Sequence, residues 1–339
     1  MQADLSSTAP RSTFSAPWWL RNAHLQTIFA KYLSPKPTLI TEPELVTLSD
    51  GDHLQLNWSE TLTVEEKRPL VLLLHGLAGD IHSHYIQGVI TALKQQGLPC
   101  VLMHFRGCNG QPNKLARAYH SGDTTDLAEV ISLLQQRFPT MPLCAVGFSL
   151  GANVLVKYCG EQAAHNPLRA AVAVCPPLSL AACATRINQG SSKIYQRYLL
   201  KRLKNATLQK LANHPNFPLP LTATLVNRIR SIAEFDEYYT APIHGFLNAQ
   251  DYYQRASGMA FLQHIRIPTL IIHAKDDPFL SDAVIPKPGD LSPYIDYQLC
   301  QHGGHVGFVF GKHPLKPQFW LNTRIPEFLV TQLSYPPVP

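Results

Sequence analysis

The chain has 339 residues, enough to bury a large core in one domain with insertions or in two small domains. Hydrophobic residues make up 45% and charged residues 15%, which excludes a disordered chain. The 29 basic and 23 acidic residues leave a formal charge of +6. That excess is compatible with anionic lipid surfaces or acidic substrates, and its simpler reading is an aid to solubility. No zinc-finger spacing, sustained Lys/Arg run or RNP-like aromatic strand is present, so no nucleic-acid partner is expected.

The seven cysteines are scattered, odd in number and without a C-x-x-C pair. Cys144 and Cys175 fall inside apolar runs, which predicts reduced core thiols in a cytoplasmic protein. Residues 1–17 are polar and lack the apolar centre of a secretory signal. No apolar run reaches the ~18 residues that span a bilayer. Stable membrane insertion is therefore not expected, and peripheral lipid contact stays open.

Alternation on both sides of Asp50-Gly51 predicts a hairpin over 44–59. A continuous apolar run at 69–75 predicts a strand buried on both faces. The pattern then gives a helix over 82–97, a strand over 99–105 and a Gly/Asn/Pro-rich loop at 106–113. A helix over 126–138 follows, whose Asp126 and Glu129 suit a capping box. A strand at 142–148, a helix from Ser149 onward and a strand at 170–175 continue the rhythm. From 178 to 262 there is no clean strand, and long helical patterns dominate, one of them over 192–211. Strands return at 268–274 and 294–300, and a last helix covers 319–333. The expected fold is α/β, a mostly parallel sheet with helices on both faces. Residues 1–177 and 263–339 would form the core, with an N-terminal extension over 1–43, and 178–262 a helical cap insertion.

Gly147-Phe148-Ser149-Leu150-Gly151 lies where a buried strand meets a helix. A serine hydroxyl is a weak nucleophile unless it is exposed, oriented and served by a base. A tight strand-to-helix turn exposes it, and the helix N-terminus turns backbone N–H groups toward a developing oxyanion. His75-Gly76-Leu77-Ala78-Gly79-Asp80 directly follows the first buried strand, where a second such N–H is needed. The backbones of Leu77 and Leu150 are the candidate oxyanion hole. At the end of the strand at 268–274, Asp276 and Asp277 compete as the carboxylate that orients a histidine, with Asp277 preferred. Past the last strand, His305 is the candidate base and His302 its alternative, both among glycines. The order Ser, Asp, His singles them out among fifteen histidines.

His82 and His84 with Asp80 fit no metal-ligand spacing and read as surface histidines at a helix start. No dinucleotide fingerprint or phosphate-binding loop is present, so neither a metal nor another cofactor is expected. The 192–211 helix mixes six basic residues with Tyr and Leu, which suits either a lipid interface or a cap helix. Trp18 and Trp19 read as packing residues rather than as an interfacial anchor.

With these motifs the chain resembles the AB-hydrolase family of predicted bacterial esterases, in its YheT-like branch. It is similar as well to the eukaryotic α/β-hydrolase domain-containing lipases and the yeast medium-chain ethyl-ester synthase/esterases. The resemblance runs from Pro17-Trp18-Trp19-Leu20-Arg21-Asn22-Ala23-His24-Leu25-Gln26-Thr27-Ile28 through HGLAGD, RGCNG at 106–110, YHSGDTTD at 119–126, GFSLGAN, AKDDPF and GGHVGF. It implies a triad that maps onto Ser149, Asp277 and His305. It also implies hydrolysis or acyl transfer on short- to medium-chain acyl esters, with a small-molecule ester as partner. His75 and Asp80 match an H-x4-D acyltransferase-type pattern of the family, which here overlaps the oxyanion loop. Acyl transfer to an alcohol, and a catalytically silent fold that only binds, are the alternatives.

Overall fold

The computed structural model describes residues 13–34, 39 and 41–334. The first twelve residues of the stretch read as lacking a secretory signal, and the last five assigned to the core, lie outside them. An eight-stranded sheet runs in the order β1-β2-β4-β3-β5-β6-β7-β8. β1 (Glu42–Thr47) and β2 (His53–Trp58) form the hairpin expected around Gly51, whose φ of +79° few other residues would adopt. β3 (Leu70–Leu74), β4 (Cys100–Met103), β5 (Leu143–Phe148), β6 (Ala170–Val174) and β7 (Thr269–Ala274) are buried along their whole length. That is what continuous apolar runs require when both faces are covered. These five strands and β8 (Ile295–Cys300) are parallel, and β2 pairs antiparallel with β4.

An N-terminal helix, α1 (Ala23–Leu33), precedes the sheet. The chain passes from β3 through α2 (His84–Gln95) to β4 on one side. It then moves the other way, through α3 (Thr125–Arg137) to β5 and through α4 (Leu150–Gln162) to β6. Right-handed crossovers therefore place α2 on one face and α3 and α4 on the other. The direction reverses between β3 and β5, which opens a crevice at the carboxyl ends of those two strands.

Two helix-start expectations are corrected. Asp126 and Glu129 do not cap α3, whose N-cap is Thr124, without a side-chain capping bond. The Asp126 carboxylate instead accepts both Nε and Nη2 of the buried Arg106, each at 2.7 Å, and Glu129 accepts from Ser49. A buried guanidinium loses far more without its carboxylate than a helix loses without a cap. Arg106 also pairs with Asp50 and Asp52, so the RGCNG loop is locked to the turn of the hairpin. Of the two histidines expected at the surface, His82 is exposed and His84 is half-buried. Its Nε2 is buried without a hydrogen-bond partner, and burial lowers its pKa to about 4.

Between β6 and β7 the described residues hold no strand. They form α5 (Leu180–Ile187), α6 (Lys193–Asn213), α7 (Ala223–Arg228) and α8 (Ile232–Phe235), then a π-turn, α9 (Ala241–Ile243) and α10 (Ala249–Ala256). This segment has apolar clusters of its own, one around Leu200, Val226, Phe235 and Tyr239, another around Leu180, Tyr252 and Tyr253. It is tied down by Lys210, whose amine donates to Asn113 Oδ1 and to the carbonyls of Leu115 and Arg117. Asn153 on α4 adds bonds to the carbonyls of Ser121 and Ala256 and to the amide of Gly258. The final helix, α11 (Leu321–Ser334), packs against α2. Trp19 is anchored through its indole N–H on the Gly311 carbonyl, whereas Trp18 is exposed rather than packed. Among the described residues no helix is long and apolar enough to cross a membrane.

Candidate active site

Ser149 stands between the end of β5 and the first residue of α4, with φ of +51°. That left-handed conformation is strained for a residue with a Cβ. It is held by the Ser149 N–H on the Val174 carbonyl at 2.8 Å. The two glycines around it are dictated by close approach. A Cβ on Gly147 would lie 2.5 Å from the Gly151 carbonyl oxygen, and one on Gly151 would lie 2.5 Å from that of His75.

Ser149 Oγ lies 2.9 Å from His305 Nε2, and His305 Nδ1 lies 2.7 Å from Asp277 Oδ2. Three side chains spread over 156 positions of the sequence therefore form one hydrogen-bonded line. Asp277 is buried, and its other oxygen accepts the Phe279 N–H at 2.8 Å. The Phe279 ring stacks on the imidazole, with centroids 4.0 Å apart. The competing residues pair with each other: Asp276 accepts from His302 Nδ1 at 3.2 Å and from the Gly304 N–H at 3.0 Å. Asp276 thus fastens the histidine loop, and His302 points to Asp276 rather than to Ser149.

The loop after β3 is pinned almost completely. The N–H groups of Gly76 and Ala78 donate to the hydroxyls of Tyr85 and Tyr119, at 3.0 and 2.9 Å, and that of Gly79 donates to the Gly76 carbonyl. Among the described residues, the Leu77 N–H alone in this run from Gly76 to Gly79 has no acceptor. The Leu150 N–H opens α4, where no preceding turn supplies a carbonyl. A Cβ on Gly76 would stand 3.2 Å from that of Ser149, so the loop abuts the serine. His75 is fully buried, with Nδ1 2.7 Å from the Gly76 carbonyl and Nε2 accepting the Phe105 N–H. Burial lowers its pKa to about 3. Its two nitrogens are spent on the backbone, and Asp80 caps the His82 N–H, so the H-x4-D residues shape this loop.

Ser149 and His305 open into a cavity of about 620 Å³ lined mostly by apolar side chains, including Leu180, Ile187, Leu199 and Leu280. A smaller one of about 270 Å³ adjoins it past Leu77 and Leu150 and contains Arg202 and Lys210. Cys175, Asp277 and His305 bring ligand-type atoms within 4.8 Å of one another. The donor set fits a metal poorly, because burial pushes the Cys175 thiol well above its ordinary pKa and Asp277 already holds His305.

The residues that sequence reasoning missed lie on α1. His305 donates its backbone N–H to Thr27 Oγ1 at 2.9 Å, and the Gln26 amide bonds the carbonyls of Leu20 and Val309 and the N–H of Val309. A Cβ on Gly304 would meet the Ala23 carbonyl at 2.6 Å. Ala23, Gln26 and Thr27 are thus the brace under the histidine loop. The segment 17–28 is marked in the sequence by the family resemblance that begins there, which does not reveal what Gln26 and Thr27 bond.

A family model described as alpha/beta hydrolase fold matches residues 69–312. The Escherichia coli protein YheT is 44% identical over 92% of this chain and 92% of its own length. The medium-chain fatty acid ethyl ester synthase/esterase 2 of Saccharomyces cerevisiae is 33% identical over 77% of this chain and 61% of its own. The esterase Pf2001 of Pyrococcus furiosus superposes with a TM-score of 0.54 at 15% identity, over 95% of this chain and 98% of that one, a likeness of fold.

Proposed function

Because the chain belongs to the alpha/beta hydrolase fold family, we propose that it cleaves carboxylic esters through an acyl-enzyme on Ser149. The observation that carries this reading is the line Ser149–His305–Asp277, with contacts of 2.9 and 2.7 Å. His305 takes the Ser149 proton as the hydroxyl attacks the acyl carbonyl, and Asp277 stabilises the imidazolium. The free N–H groups of Leu77 and Leu150 receive the oxyanion. His305 returns the proton to the departing alcohol, and water then releases the acid by the same steps in reverse.

The apolar cavity of about 620 Å³ suits an acyl chain of short to medium length. Residues 178–262 act as a helical cap that supplies much of its wall. A second reading, acyl transfer to an alcohol in place of water, is favoured by the name of the yeast relative, which joins synthase to esterase. Added alcohol separates the two, since transfer yields a new ester. The primary test is turnover of esters graded in acyl length. Ser149→Ala should lose roughly 10⁴- to 10⁶-fold in kcat. Near-normal turnover by that variant would remove Ser149 from the chemistry.

A further inference from the structure

α1 is turned inside out. Its buried residues are Gln26 and Ala30, whereas Leu25, Ile28, Phe29 and Tyr32 are 41%, 38%, 42% and 71% exposed. The spacing i, i+3, i+4, i+7 makes those four one apolar stripe, the kind a helix ordinarily turns to its core. A second exposed apolar pair stands on α6, where Ile194 and Tyr198 are 62% and 53% exposed. Arg197 and Lys201 share that face of α6 by the same spacing. The two helices are joined by His24 Nδ1 to the Tyr195 hydroxyl at 3.0 Å and by His24 Nε2 to Ser191 Oγ at 2.8 Å. Neither helix carries an acidic residue, while α1 contributes Lys31, with Arg21 just before it, and α6 contributes the exposed Lys193, Arg197, Lys201 and Arg202. Ile28, Lys31, Tyr32 and Tyr198 also line the cavity that holds Ser149.

We infer that this paired face of α1 and α6 is a docking surface for an anionic lipid bilayer, from which an acyl chain enters the cavity. Exposed apolar side chains ringed by unopposed basic groups are what an interfacial helix presents to lipid, the first entering the acyl boundary and the second meeting anionic headgroups. Charge complementarity therefore favours a lipid surface as the occupant. The substrate class becomes an acyl lipid delivered from a membrane, which rests on the ester-cleaving reading of the site.

Sedimentation of the full chain with vesicles measures docking without turnover, and hydrolysis of a water-soluble ester measures the site without a membrane. The wild type should sediment with mixed phosphatidylcholine–phosphatidylglycerol vesicles, more weakly with phosphatidylcholine alone, and less as salt rises. The variant Leu25→Ser with Phe29→Ser, and separately Arg197→Gln with Lys201→Gln, should each weaken binding about tenfold or more while soluble-ester turnover is unchanged. None of these four residues lines the cavity. Absence of wild-type binding to the mixed vesicles, or equal binding after Leu25→Ser with Phe29→Ser, overturns the inference. So does a wild-type dimer that this variant converts to monomer, which would assign the patch to a second copy. Vesicle binding without soluble-ester turnover would support the docking surface and overturn the ester reading alone.

Discussion

The backbone N–H of His305 donates to the hydroxyl of Thr27 at 2.9 Å, across 278 positions of the chain. Val306 and Phe308, just beyond, hold φ of +55° and +45°, so the loop that carries the imidazole is strained and needs support from outside itself. α1 supplies it. Thr27→Val keeps the shape of the side chain and removes the acceptor. The expected result is a loss in kcat of about fivefold, the equivalent of one neutral hydrogen bond of ~1 kcal/mol. Steady-state kinetics on a soluble ester read it, and an unchanged kcat would separate α1 from the positioning of His305.

Asp276 and Asp277 are adjacent, yet they should separate cleanly on substitution. Asp277 orients His305, so Asp277→Asn should lower kcat by roughly 10³- to 10⁴-fold. Asp276 bonds His302 and the Gly304 N–H, so Asp276→Asn should cost about tenfold or less while lowering thermal stability. Equal losses from the two variants would contradict the division of roles.

The fold was legible wherever local period determined it. The five buried strands were continuous apolar runs, and the hairpin was flagged by Asp50-Gly51. The serine turn announced itself because Gly147 and Gly151 are each forced by backbone within 2.5 Å of their missing Cβ atoms. What stayed hidden were contacts between distant segments. Asp126 has the spacing of a helix cap, and only the arrival of Arg106 from the preceding loop shows why it does something else. His84 sits at a polar-looking helix start, and the burial of its Nε2 comes from packing no local pattern records. The histidine loop could be placed by chain order, whereas its brace, Gln26 and Thr27, lies nearly three hundred residues away.

Acid should unfold the protein partly through Asp52. Burial pushes this carboxyl up, but bonds from Asn113, the N–H groups of His53 and Lys114, and Arg106 outweigh it and hold its pKa down at about 2, against an ordinary 3.8. A carboxyl depressed in the folded state stabilises the fold fully above its unfolded value and loses that contribution as pH falls through its folded one. The window therefore lies between about pH 4 and pH 2. Asp52→Asn should destabilise the protein by about 2 kcal/mol at neutral pH and flatten the fall in stability across that window. Urea unfolding at a series of pH values checks this, and a variant with the wild-type slope would contradict it.

A fluorophosphonate forms a covalent adduct only with a serine already activated for attack. Peptide mapping of the labelled protein should locate the adduct on Ser149, with labelling abolished in His305→Ala and retained in His302→Ala. Failure of the folded wild type to react, or an adduct on any other residue, would contradict the proposal that this serine is the nucleophile.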